Sequence, residues 1–189
     1  MGSLKVHEFI SLDGVIESPS WTADYPFGAE MMEAVGGLTA SADAILLGRN
    51  TYEMFAPAWS TRTAEDDPGA PFFNETAKYV VSSTLEKADW NNTTILGPYD
   101  PKAVRDLKNS TQGIYVSGSA ALVRALLADQ LVDELHLFMY PVTLGKGQRL
   151  FPEDTPAQKL SLTTCERFEG GVAHLVYGPA TGDDSGAHA

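Results

Sequence analysis

The sequence predicts a single α/β domain: a mostly parallel central sheet flanked by helices and closed by a C-terminal antiparallel hairpin. Three observations carry this. Short apolar runs at 44–47, 78–82 and 113–116 each end in glycine or serine, and two of them lead straight into a helix. Buried parallel strands read as continuous apolar runs of this kind. Helical spacing of apolar residues recurs between the runs. Near the end, 160–168 and 172–177 are joined by Gly170-Gly171 and read as two antiparallel strands. Strands that alternate with helices and finish antiparallel place one sheet under helices on both faces.

Taken in order, 5–10 is a first strand, and Ser11-Leu12-Asp13-Gly14 turns it, since Asp-Gly is a turn pair. Val15 and Ile16 resume the apolar run. Residues 17–28 form a loop with Pro19, Pro26, Trp21 and Tyr25. Met31, Val35 and Leu38 give 29–40 a helical period, weakened by Gly36 and Gly37. The strand at 44–47 precedes a helix over 50–56, which Pro57 should end. Residues 57–71 are small and acidic and read as a surface loop. A strand follows at 78–82, then one at 93–96. Asp100-Pro101 has the pattern of an N-cap with proline at the first helical position, and Val104 and Leu107 give that helix an apolar edge. After the strand at 113–116, a helix over 120–128 is apolar nearly all round and should be buried. In 134–140, Leu135, Leu137 and Met139 alternate with His136, Phe138 and Tyr140, as in a strand with two occupied faces. Gly145-Lys146-Gly147 is a loop. No internal repeat is present. The domain spans 1–178, and the Gly-, Asp- and Ser-containing tail at 179–189 is expected to be disordered.

The chain has 189 residues, 43% hydrophobic and 20% charged, which suits one domain with a real core. No apolar run approaches the roughly 20 residues of a membrane span. The first residues lack the apolar stretch of a signal peptide. The lone cysteine, Cys165, cannot form an intrachain disulfide and suits a reducing cytoplasm; in a late strand it reads as a small core residue. A net charge of -12 argues against nucleic acid and anionic membranes as partners. The four histidines have no metal-ligand spacing, and no metal is expected.

Chemistry concentrates where strands end. Gly48-Arg49-Asn50-Thr51, Ser82-Ser83 and Ser117-Gly118-Ser119-Ala120 offer small residues, hydroxyls and free N–H groups, and a parallel sheet would set them on one rim. A helix start after such a turn carries unpaired N–H groups and the positive end of the helix dipole, which suit phosphate. Arg49 adds a guanidinium that can grip phosphate with two bonds. Three such loops on one rim suit an elongated, phosphate-rich ligand. None matches the phosphate loop ending in Gly-Lys-Ser/Thr or the Gly-x-Gly-x-x-Gly of dinucleotide-binding folds.

The order Leu47-Gly48-Arg49-Asn50-Thr51-Tyr52, Lys78-Tyr79-Val80-Val81-Ser82-Ser83 and Tyr115-Val116-Ser117-Gly118-Ser119 resembles the dihydrofolate reductase fold. Ser11-Leu12-Asp13-Gly14, Leu131-Val132-Asp133-Glu134-Leu135 and Leu144-Gly145-Lys146-Gly147 make it most similar to the branch that shares the reductase domain of bacterial riboflavin biosynthesis. The resemblance covers about 4–178. It implies an NADPH-dependent reductase in which Gly48, Arg49, Asn50 and Thr51 hold cofactor phosphates. Arg49 with Ser82 or Ser83 would lie near the adenosine 2′-phosphate. Gly118, Ser119, Ala120 and Ala121 would cradle the pyrophosphate, with Ser117-Gly118 where dihydrofolate reductases carry a cis Gly-Gly pair. The substrate implied is a small heterocyclic or conjugated molecule of pterin, pyrimidine or flavin type. Two alternatives stand beside it: a riboflavin-pathway reductase of a ribosylated pyrimidine, and a non-catalytic NADP-binding module. Trp21, Phe55 and Trp59 are candidates for the substrate pocket or for core packing. Asp13 is a candidate for proton delivery or simply a turn aspartate. The resemblance also suggests a homodimer, which the apolar strand at 135–140 could support.

Overall fold

The computed structural model describes residues 1–180, and it holds one eight-stranded sheet. The strands are β1 Ser3–Ser11, β2 Ala44–Gly48, β3 Ala77–Val81, β4 Thr93–Gly97, β5 Gly113–Val116, β6 Glu134–Tyr140, β7 Leu160–Arg167 and β8 Ala173–Pro179. Their spatial order is β4-β3-β2-β5-β1-β6-β8-β7. The six strands from β4 to β6 pair in parallel. β8 runs antiparallel to β6, and β7 antiparallel to β8. The predicted architecture is therefore the observed one, with β8 reaching one residue past the expected domain end. The expected disorder of the tail falls largely on 181–189, outside the described residues.

Alternation along the central strands fills two cores. In β2, Ala44 and Leu46 join Leu4, Val6, Val116 and the buried side of α5 (Ala120–Ala128), while Ile45 and Leu47 face the opposite way. The opposite core lies under α1 (Ala29–Ala40), α2 (Arg49–Trp59) and α3 (Ala70–Glu75), and includes Met31, Leu38, Tyr52, Phe73 and Tyr115. The helix predicted to be buried at 120–128 buries Leu122, Val123, Leu126 and Leu127. The helix α4 (Pro101–Ser110) packs Val104 and Leu107 into the first core.

Three expectations need correction. α2 runs through Pro57 to Trp59. Proline removes the N–H that would bond back to residue 53 and crowds that carbonyl, but Trp59 is anchored by stacking on Phe73, 4.3 Å between centroids. The loop expected over 57–71 is shorter, because α3 begins at Ala70 with Pro71 in its first turn. Fully buried Lys78 closes the far end of α3: its Nζ donates to the carbonyls of Phe73 and Thr76, both at 2.8 Å. Cys165 is exposed, because β7 is the edge strand and most of its residues face solvent. β6 lies inside the sheet between β1 and β8, and its apolar residues fill both cores.

Candidate functional site

β3, β2 and β5 are adjacent and parallel, so the loops that leave them share one rim, as their sequences led us to expect. Gly48 is the register partner of Val81. Arg49 and Ser82 therefore follow a matched pair of strand ends. On the other side of β2, the N–H of Gly48 donates to the carbonyl of Gly118 at 3.2 Å. A Cβ on Gly48 would overlap Ser119 Oγ and come within 3.0 Å of the Ser119 backbone N. The two loops touch backbone to backbone only because position 48 has no side chain. Gly118 sits at φ +87, where a Cβ would come 2.8 Å from Thr51 Oγ1. The cis peptide is Gly118–Ser119, one bond beyond the Ser117–Gly118 position suggested by the resemblance.

Two helices start at this junction. α2 follows Gly48 and α5 follows Ser119, and neither start is capped by a side chain. α4 differs: Asp100 caps it, accepting from the Lys102 N–H at 2.8 Å. A helix start leaves N–H groups without intrahelical partners and carries partial positive charge. The chain supplies a carboxylate to that end of α4 and none to α2 or α5. Arg49, the first residue of α2, is exposed.

Below the junction lies a cavity of about 900 Å³. Its apolar wall includes Phe9, Phe27, Met32, Val35, Phe55 and Trp59. Asn50, Thr51, Gly118, Ser119 and Ala120 line it as well, so the loops and the cavity form one continuous site. Of the residues predicted for the site, Gly48 is buried at the junction, while Arg49, Ala121 and Ser83 are exposed outside the lining. The Ser82 hydroxyl turns inward and accepts from the Thr84 and Leu85 N–H groups at 3.1 and 2.9 Å.

Phe55 and Trp59 line the cavity; Trp21 is not among the lining and packs edge-on against Tyr140, 5.3 Å away. Asp13 also lies outside the lining. Its carboxylate accepts from Ser11 Oγ at 2.6 Å, Gly145 N at 2.7 Å and Leu144 N at 3.1 Å. Those bonds, led by the one from Ser11, hold its pKa down to about 2. Asp13 is thus ionised at neutral pH and braces the loop at 144–145, which corrects its candidacy for proton delivery.

The residue that sequence reasoning missed is Glu8. It lies in β1 between His7 and Phe9, lines the cavity and is 7% exposed. Its Oε1 is closed off from solvent with no hydrogen-bond partner. Burial alone pushes its carboxyl up to about 8, because charge is costly where water is excluded and no cation answers it. The available signal was an acid inside an apolar run, Val6-His7-Glu8-Phe9-Ile10. His7, also in the lining, hydrogen-bonds Tyr115 through Nδ1 at 2.7 Å, and its Nε2 is buried without a partner. Burial, with smaller contributions from His136 and His174, lowers its pKa to about 3, so it is neutral.

Comparison with known proteins adds the following. The family model described as the RibD C-terminal domain matches residues 3–174. The uncharacterized protein YyaP of Bacillus subtilis (strain 168) is 27% identical over 175 residues, covering 89% of this chain and 90% of that protein. Among solved structures, a Shewanella sp. PV-4 protein assigned by its name to riboflavin biosynthesis superposes with a TM-score of 0.78 at 18% identity, covering 96% of this chain and all of that one. The deaminase and 5-amino-6-(5-phosphoribosylamino)uracil reductase of Thermotoga maritima gives 0.67 at 14% identity, over 95% of this chain and 57% of that one. At these identities the two structures speak for the fold.

Proposed function

The chain belongs to the RibD C-terminal domain family, and from that premise we propose that it is an NADPH-dependent reductase of a small heterocyclic or conjugated substrate. The observation that carries this reading is the junction of two uncapped helix starts over an apolar cavity. The residues present suit a phosphorylated dinucleotide. Backbone N–H groups at the start of α2, around Asn50 and Thr51, and at the start of α5, around Ala120 and Ala121, would hold phosphate oxygens. Glycine at 48 and 118 lets the backbone approach that close. Arg49, beside Ser82 and Ser83, would bind the 2′-phosphate that distinguishes NADPH from NADH. Bound there, the cofactor would supply hydride; the cavity residues would exclude water and orient the substrate ring.

The lining also speaks to the substrate. Apart from Glu8, which burial favours in its neutral form, its acidic and basic members are Glu17, Asp67 and Arg62, and Arg62 is paired with Asp67 at 3.9 Å and lies over the Trp59 ring. A second phosphate would meet more negative than positive charge. This favours an unphosphorylated pterin-, pyrimidine- or flavin-like ring over a ribosylpyrimidine phosphate.

Arg49→Ala tests the cofactor reading. It should weaken NADPH binding by about 1.5–3 kcal/mol, the range for a charged hydrogen bond, and change NADH binding much less. Equal losses for the two would show that Arg49 does not read the 2′-phosphate. NADPH binding by the unaltered chain without oxidation across a panel of pterins, flavins and quinones would make it a binding module.

A further inference from the structure

We propose that Glu8 is the catalytic acid of this cavity, the group that hands a proton to the substrate as it is reduced, and that the substrates are accordingly neutral rings whose reduction requires that proton. The inference rests on the reductase reading above and names a residue which that reading does not use.

The other acids of the lining are engaged. Glu17 accepts from the Gln148 N–H at 3.1 Å. Asp67 accepts from Gly69 N at 2.8 Å and pairs with Arg62. Glu8 has neither a donor nor a cation: its Oε1 is buried and unpartnered, and Lys5, on the same strand, is paired with Glu134. Its neighbours are neutral. The register partner of Glu8 on β6 is Leu137. Tyr115 on β5 is held protonated by burial, and His7 is neutral. A buried, unpaired carboxylate would carry a desolvation cost of several kcal/mol, whereas a protonated carboxyl is a hydrogen-bond donor that can end in a cavity. Its place is also suited to the task. A Cβ built on Gly118 would lie 3.7 Å from Glu8 Oε1, so the carboxyl borders the loop proposed to hold the cofactor.

The chemistry balances without another reactant. A ring C=N or conjugated C=C bond gains hydride at one atom from the reduced nicotinamide and the Glu8 proton at the other. One C–H bond and one N–H or second C–H bond form, and the π bond is lost. The substrate gains two electrons, the cofactor loses two, and Glu8 is left as a carboxylate that recovers its proton from water. A cationic iminium ring needs no such proton, and that difference separates proton donation from a merely structural role.

Two measurements decide it. In ligand-free protein labelled with ¹³C at the glutamate carboxyls, the Glu8 signal, assigned by its loss in Glu8→Gln, should titrate near pH 8. A signal already at the ionised position at pH 6 overturns the proposal. Glu8→Gln should bind NADPH within threefold of the unaltered chain. Its kcat for neutral cyclic imines or pterins should fall about 10²–10⁴-fold with little change in KM, and its rate with an N-methylated cyclic iminium should stay within a few-fold. Reduction of a neutral substrate by Glu8→Gln at the unaltered rate, or an equal loss on neutral and cationic rings, also overturns it. NADPH binding by the unaltered chain, measured first, tells a failure of the cofactor reading from a failure of this one.

Discussion

Gly48→Ala is expected to weaken NADPH binding by at least a hundredfold, about 3 kcal/mol, and to destabilise the fold by about 1–3 kcal/mol, the range for overpacking. The added Cβ would overlap Ser119 Oγ and stand 3.0 Å from both the Cβ and the backbone N of that residue. The loop after β5 must then move away from the start of α2. That motion breaks the Gly48–Gly118 hydrogen bond and separates the two sets of N–H donors that one dinucleotide would have to reach together. Ser119→Gly in the same chain should recover part of both losses, because the hydroxyl overlap goes and the backbone need give only a few tenths of an ångström. Gly37→Ala is the control. A Cβ there meets nothing within 4 Å, and an alanine within α1 should stabilise by about 0.5–1 kcal/mol. Isothermal titration and urea unfolding on the four proteins read both quantities.

The second large effect is on stability against pH. Between pH 6.5 and 8, the ligand-free chain should lose about 1.5 kcal/mol more of its unfolding free energy than Glu8→Gln does. Burial raises the Glu8 carboxyl from 4.5 to about 8. In that interval the folded state keeps a proton that the unfolded state has released, so stability falls as pH rises. His7 acts in the opposite sense: lowered from 6.5 to about 3, it makes stability rise with pH until about 7.5. His136, lowered by burial, acts likewise. Up to about pH 7.5 the two histidines oppose Glu8, and from about pH 7 Lys78, lowered from 10.5 to about 8 by burial, opposes it as well, so the difference between the unaltered chain and Glu8→Gln isolates the carboxyl. Urea unfolding at pH 6.5 and pH 8 should show stability falling with pH in the unaltered chain relative to Glu8→Gln. The same pH dependence in both proteins would show that Glu8 is ionised in the folded state.

Much of the frame was legible because buried parallel strands write themselves as unbroken apolar runs. Ile45-Leu46-Leu47 and Tyr79-Val80-Val81 could be read as strands without knowing their neighbours, and the small residues after them marked the rim. What the sequence concealed depended on tertiary neighbours. Pro57 looked like a helix end until Trp59 found Phe73. The six residues of α3 are too few to display a helical period. The alternation in 160–167 reads the same in an edge strand as in a central one, so Cys165 could not be told apart from a core cysteine. Trp21 and Phe55 were equal candidates on composition, and only packing assigns the first to Tyr140 and the second to the cavity wall. At the site, glycine and serine marked by residue type the rim that we propose holds phosphate. Glu8 is a single acid in an apolar strand, and its meaning comes from the cavity beside it and from the partner it lacks.

The central claim is that the joined starts of α2 and α5 hold NADPH. Equilibrium titration of the unaltered chain with NADPH and with NADH, followed by the change in nicotinamide fluorescence, tests it most directly. The account predicts saturable NADPH binding at one site per chain, at least tenfold tighter than NADH, a difference of about 1.4 kcal/mol that a guanidinium on the 2′-phosphate readily supplies. Binding of neither nucleotide at millimolar concentration would contradict it.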